Sequence, residues 1–322
     1  MSFTLALVPP HNDETLGWPA RLAEAVPGIR VLRPETAEDT VAALRVADAV
    51  YGALSPELLR HARRLSWLQA PQAGPPVGFY HPELIAHPVQ VTNMRDTYTD
   101  HVAAHALALV LALARGLPRY VRDQSAGRWA PDWAPTAVLP LAEASALVVG
   151  VGALGSEIGR LLAAFGTRVI GVDRRRVDLP AGFAEVRPAG ELDSSLGEAD
   201  VVVLTVPHTP ETEGLVDARR LALFRASAYL VNIGRGATVR LDDLVAALDA
   251  GRLAGAALDV FEQEPLPAGH PLWRRTDVLL TPHVAGVGPH ADSRRFAVLL
   301  ENAKRFAAGA ELVNLVDKAQ WS

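Results

Sequence analysis

Three short apolar runs are each followed by a side chain able to do chemistry: Arg235 in VNIGRG, Glu264 in ALDVFEQEPLP and His283 in LLTPHVAG. A guanidinium is a permanent planar cation whose fork matches a carboxylate and polarises a carbonyl beside it. An imidazole, with an unperturbed pKa near 6.5, holds or releases a proton close to neutrality. A carboxylate on its other ring nitrogen fixes the tautomer and favours the protonated form. Reduction of a 2-keto acid needs this set: Arg235 to orient and polarise the substrate, His283 to protonate the developing alkoxide, and Glu264 as the candidate partner of His283. Taken singly, the three read equally as a turn arginine, a surface charge in EQEP and a satisfied strand-end histidine. Only together do they point to a reaction.

Such a reaction needs a hydride carrier, and the glycine run GVGALG, residues 150–155, has the context of a dinucleotide site. It follows the strand-like ALVV and opens the helical SEIGRLLAAFG; a second strand, TRVIGVD, ends in Asp173 about 20 residues on. Gly150 and Gly152 suit a tight turn and the approach of backbone amides to a pyrophosphate at a helix N-terminus, and Gly155 suits close helix–strand packing. Asp173 can accept from a ribose 2′-hydroxyl and repels a 2′-phosphate, so NAD is the expected cofactor. Arg174, Arg175 and Arg176, any of which can neutralise a phosphate, keep NADP as the less favoured alternative. A lone glycine pattern would equally be a tightened strand–helix junction; strand, helix and terminal acid together argue for a dinucleotide.

Positioning groups so distant in sequence requires strands whose ends converge. Open parallel sheets bind ligands beyond the carboxyl ends of their strands. From the N-terminus, TLALV, IRVLR, ADAVYGAL, LSWLQA and VQVTN alternate with helical patterns near residues 16–25 and 35–45, which predicts one parallel sheet. After an Ala/Leu-rich helix and the irregular GRWAPDWAPTAVLP, alternation resumes with ALVVGVG, TRVIGVD, ADVVVLTV, AYLVNIG, GAALDV and DVLLTPH. These continuous apolar runs suit a sheet covered on both faces. The expected fold is therefore α/β with two doubly wound parallel-sheet domains. A flavodoxin-like substrate domain takes residues 1–99 plus 287–322, and a Rossmann dinucleotide-binding domain takes 100–286. The last helical segment, about 288–308, and the tail ELVNLV lack a sheet of their own and are expected to return to the first domain.

Composition narrows the remaining classes. The 322 residues, 49% hydrophobic, suffice for two cores, and 31 basic against 36 acidic residues give a net charge of −5. No cationic field is available for nucleic acid or anionic lipid. With no cysteine, disulfides, thiolate catalysis and Cys-based metal sites are excluded, and no metal is called for. No export signal or run of about 20 apolar residues is legible, so a cytoplasmic protein outside the membrane is expected.

The chain resembles the D-2-hydroxyacid dehydrogenase family over nearly its whole length, through SWLQAPQAG, VQVTN, HVAAHALALVLALARGLP, GVGALG, VPHTPETEG, VNIGRG, ALDVFEQEPLP and TPHVAG. The family includes phosphoglycerate dehydrogenases and glyoxylate or hydroxypyruvate reductases. The resemblance implies Arg235 as substrate-binding and electrostatic catalyst, His283 as acid/base and Glu264 as its partner. Ala153, Leu154, Asp173, Val206, the backbone of Ile233, Gly234 and Arg235, Asp259, and His283 through Gly286 would line the cofactor. It also implies a first domain completed by the C-terminal tail, and a homodimer formed with the help of the crossover helix. Asp259 has a plain alternative as a turn cap, and His105, on an apolar helix, reads as a core or interface histidine.

Two departures bear on the substrate. Where the family grips the substrate carboxylate with backbone N–H groups after a glycine, here Gly74, this chain has Pro75 and Pro76, which have none, so at least part of that grip is missing or is supplied by Gly74, Ala73 or Val77. Asp96 stands where the family commonly has glycine, with Arg95 and Tyr98 nearby. Arg95 is a candidate for a second anionic group on the substrate, with surface pairing to Asp96 as the competing reading. The expected substrate is a small 2-keto or 2-hydroxy acid of the glyoxylate, hydroxypyruvate or phosphoglycerate type. A different class remains open, an NADH-sensing corepressor-like interaction protein.

Overall fold

A computed structural model describes every residue except Val77, 135–137, Val177 and Ser322, with the Glu14 side chain also left aside. By packing, the chain forms two compact units, Met1–Thr97 with Gly288–Ser322, and Tyr98–Val287.

The first unit is built on five parallel strands in the order β2-β1-β3-β4-β5. They are β1 (Phe3–Leu7), β2 (Ile29–Leu32), β3 (Ala49–Tyr51), β4 (Trp67–Gln69) and β5 (Gln90–Thr92). The C-terminal helix Ala291–Ala308 completes this unit's core. Phe296 packs on Trp18 with ring centres 5.6 Å apart, and Phe306 on Phe3 and Trp67 at 4.9 and 5.5 Å. Buried Asn302 donates from Nδ2 to Gln69 Oε1 (3.0 Å) and to the Val313 carbonyl (3.1 Å), and Leu315 bridges antiparallel to Thr92. The helix begins at Ala291 rather than near 288, because His290 takes a left-handed conformation (φ 68°) that no helix continues.

The second unit carries seven parallel strands in the order β12-β11-β10-β9-β6-β7-β8. These are β6 (Ser145–Val149), β7 (Arg168–Asp173), β8 (Phe183–Pro188), β9 (Val201–Leu204), β10 (Tyr229–Asn232), β11 (Gly255–Leu258) and β12 (Val278–Leu280). Successive residues of a strand face opposite ways. Accordingly Leu147, Val202, Leu204 and Leu230 enter one apolar cluster, while Ala146, Val148, Val203 and Val231 enter another. Two-sided burial explains why these strands read as continuous apolar runs. The helix Thr99–Ala114 supplies Ala103, Ala106, Leu109 and Leu113 to the second cluster. β8 was not expected: its sequence, FAEVRP, alternates polar and apolar, as suits an edge strand of which Phe183 is the one fully buried residue. No single helix among the described residues is long and apolar enough to cross a membrane.

Candidate active site

Every group expected at the site, except Gly74, lies within the second unit, at or just beyond the carboxyl ends of its strands. The sheet ladder runs one residue past the strands and fixes that edge. Gly150 N–H donates to Val172 O (2.8 Å), Thr205 to Val149 (2.9 Å), Ile233 to Leu204 (3.3 Å), Asp259 to Asn232 (3.0 Å) and Thr281 to Leu258 (3.0 Å). In a parallel sheet these bonds place the segments after β6, β9, β10, β11 and β12 side by side.

After β6 the chain turns at Gly150, with φ 96°, a conformation L side chains rarely adopt. Gly152 caps the helix Ala153–Ala164. A Cβ on Gly155 would come within 1.9 Å of the Gly150 carbonyl oxygen, so the helix meets the strand backbone at a distance only glycine permits. A Cβ on Gly150 would meet Val206 Cγ1 at 3.0 Å, which sets Val206 against the glycine turn. Space beside Gly152 is open within 4 Å, and the first helical turn, Ala153 and Leu154, has N–H groups that no intrahelical bond uses. This cradle fits a dinucleotide pyrophosphate.

Asp173 ends β7 with its carboxylate already organised. Oδ2 accepts from the Val151 N–H (2.7 Å), and Oδ1 from those of Arg175 (2.8 Å) and Arg176 (2.9 Å). Burial pushes its pKa up, but these amides and the Arg176 charge outweigh that and hold it below the usual carboxylate range. The three following arginines are not equivalent. Arg176 is committed to the glycine turn, donating to Val151 O (2.9 Å) and Ser156 Oγ (2.7 Å) while pairing with Asp178 (2.7 Å). Arg174 stands half exposed, 3.7 Å from Glu211.

After β10, buried Asn232 shapes the Ile233–Arg235 turn by accepting from Gly234 N–H (3.1 Å) and donating to Arg235 O (3.1 Å). The half-buried Arg235 donates from Nη1 to Gly234 O at 2.6 Å. Burial lowers its pKa from the ordinary value, and the nearby Glu264 carboxylate opposes that shift, so the two side chains are within electrostatic reach. Glu264 Oε1 accepts from Phe261 N–H (2.9 Å), and its Oε2 lies 2.7 Å from His283 Nδ1. His283 Nε2 has no partner among the described residues. The fold thus joins Glu264 to His283 by a hydrogen bond and places Arg235 near enough to Glu264 for their charges to act on one another.

His283 itself is in the left-handed region (φ 53°), a conformation that costs a residue with a Cβ about 1–2 kcal/mol. Asp259 holds it there. The Asp259 carbonyl accepts from His283 N–H (2.8 Å), and its carboxylate, 1% exposed, accepts from Thr281 Oγ1 (2.6 Å), Val284 N–H (3.0 Å) and Ala285 N–H (3.0 Å). This clamp on the turn was not read from the sequence, where a cap was only the plain alternative for Asp259. Gly286 follows, its Cα facing Tyr98, which a Cβ would approach to 3.8 Å.

Gly74 belongs to the first unit, in the loop after β4, where Asn93 Nδ2 pins the Ala73 carbonyl at 2.9 Å. Val77 lies outside the described residues. Asp96 has φ 69°, which accounts for a glycine preference at that position. The Arg95 guanidinium donates to Leu315 O (3.3 Å), and no pairing with Asp96 is among its contacts.

Residues 107–285 match the family described as D-isomer specific 2-hydroxyacid dehydrogenase, NAD binding domain. A glyoxylate reductase of Thermofilum pendens is 34% identical over 248 residues, 75% of this chain and 73% of the relative. A D-isomer specific 2-hydroxyacid dehydrogenase from Xanthobacter autotrophicus, solved with NADPH and MES, superposes with a TM-score of 0.84 at 29% identity over 100% of both chains. An NADPH-dependent glyoxylate/hydroxypyruvate reductase from Sinorhizobium meliloti, solved with NADP and sulfate, does so with a TM-score of 0.83 at 28% identity, again over 100% of both chains.

Proposed function

Because the chain belongs to the D-isomer specific 2-hydroxyacid dehydrogenase family, we propose that it interconverts a small 2-keto acid of the glyoxylate, hydroxypyruvate or phosphoglycerate type and the corresponding D-2-hydroxy acid, with Arg235, Glu264 and His283 as its catalytic groups. One observation carries the assignment of roles: His283 Nδ1 lies 2.7 Å from Glu264 Oε2, on a turn just past β12, while Arg235 lies within reach of the same carboxylate. When bound, the nicotinamide supplies the hydride, or takes it up in the reverse sense. Arg235 binds the substrate carboxylate through its fork and draws electron density from the carbonyl. His283 carries the proton at Nε2 and gives it to the carbonyl oxygen as negative charge develops there. Glu264 accepts a hydrogen bond from Nδ1–H, which leaves Nε2 as the nitrogen that exchanges a proton with the substrate. Gly74 is retained as a substrate-carboxylate contact on the strength of the resemblance.

For the cofactor, the proposal is NADH in preference to NADPH. Asp173 is held anionic at the end of β7, where a 2′-phosphate would meet its charge. Arg174 and Arg175 are the residues an NADPH preference would use, as Arg176 is engaged with the glycine turn. Cofactor oxidation measured at 340 nm against a panel of 2-keto acids, with each cofactor in parallel, tests both statements. Glyoxylate or hydroxypyruvate should be turned over, with higher kcat/KM for NADH. No turnover of any acid with either cofactor rejects the function, and a higher NADPH value rejects the preference alone.

We further propose a homodimer. Trp129 and Trp133 leave 95% and 86% of their surface exposed, and Val121 on the helix Leu117–Ser125 is also exposed. Apolar side chains of that size grouped within one short stretch mark an association surface. Sedimentation should give twice the chain mass for the wild type and a single chain mass for the Trp129→Glu, Trp133→Glu variant. A monomeric wild type would remove this part of the reading.

A further inference from the structure

The helix Thr99–Ala114 carries His105 to the back of the turn that holds His283. His105 Nε2 lies 3.0 Å from Thr281 Oγ1 and 3.6 Å from Asp259 Oδ1. The single hydroxyl proton of Thr281 is used on Asp259 Oδ1, at 2.6 Å. Thr281 Oγ1 must therefore accept from His105, which puts a proton on His105 Nε2. Asp259 in turn takes the N–H groups of Val284 and Ala285, and its carbonyl takes that of His283. These contacts form one continuous line, from a helix 176 positions away in the chain to the backbone of the acid/base residue.

We propose that His105 is a positioning residue for His283: by donating to Thr281 it orients the hydroxyl that fixes the Asp259 carboxylate, and so holds the 283–285 turn with His283 in its left-handed conformation. The proposal rests on the function given above for His283, but the line of hydrogen bonds does not. Without the His105 donor, the Thr281 hydroxyl can rotate, and Asp259 Oδ1 loses its shortest bond. The turn then samples other conformations, and an imidazole displaced by a fraction of an ångström transfers its proton less often.

Two readouts separate the proposal from its premise. Hydrogen exchange at the Val284 and Ala285 amides needs no substrate or cofactor. In His105→Leu and in Thr281→Val both amides should exchange about tenfold faster, while amides of β10 and β11 keep wild-type protection. In the same variants kcat should fall about tenfold. His105→Gln, whose amide can still donate to Thr281, should stay within about twofold of wild type in both readouts. The double variant should be no worse than Thr281→Val alone, because both changes break one line. Wild-type protection at Val284 and Ala285 in His105→Leu overturns the proposal, as does a Gln variant as impaired as the Leu variant. If the wild type turned over no acid, the functional reading would fall, and the exchange data would still decide whether His105 holds the turn.

Discussion

Exchanging His283 for alanine is expected to lower kcat for 2-keto acid reduction by about a thousandfold, inside the range of about 10²–10⁴ that a positioned acid contributes. Its Nε2 is the nitrogen left over once Glu264 has engaged Nδ1 at 2.7 Å, and no other described group of the segments after β10, β11 and β12 combines a titrating nitrogen with such a partner. Alanine at φ 53° also strains the turn, so the loss would mix two causes. Asparagine tolerates that conformation and cannot serve as the acid. His283→Asn should therefore lose activity to a similar extent while keeping the thermal stability of the wild type. Activity within about threefold of wild type in His283→Asn would end the acid/base assignment.

Replacing Arg235 with lysine keeps the charge, yet kcat/KM for the keto acid should fall by about 10²–10³, the loss typical of removing one donor to a developing oxyanion. Arg235 already uses one nitrogen, Nη1, on the Gly234 carbonyl at 2.6 Å, which aims the rest of the fork. A lysine ammonium presents its three donors from a single point, so it cannot hold the Gly234 carbonyl and also reproduce the two parallel bonds of the fork. KM for the acid should rise along with the fall in kcat, since the same fork holds the substrate and polarises it. Steady-state kinetics over a range of acid concentrations would show this, and unchanged parameters would exclude Arg235 from the substrate.

Much of this arrangement is legible in the residues because it depends on local rules. Strands buried on both faces leave unbroken apolar runs such as VVVL and GAAL. Arg235 and His283 come within three residues of such a run, so a parallel sheet brings them to one edge. The glycine turn is legible for the same reason, since it needs only its neighbours. What escapes is what depends on distant partners. Nothing near Asp259 announces that its carboxylate will gather Thr281, Val284 and Ala285, which follow the next strand. His105 looks like one polar residue in an apolar helix until the fold sets Thr281 against it. β8 escapes because an edge strand buries too little to leave an apolar run. Asp178 and Ser156 draw Arg176 out of the cofactor question through contacts that composition cannot reveal.

The first unit is divided between the two ends of the chain, whereas Tyr98–Val287 is a single stretch. No contiguous gene fragment encodes the first unit, for a piece ending at Thr97 leaves Phe3, Trp18 and Trp67 without the rings of Phe296 and Phe306. The second unit is in this sense an insertion. It can be expressed as one segment, while isolating its host means splicing Thr97 to Gly288.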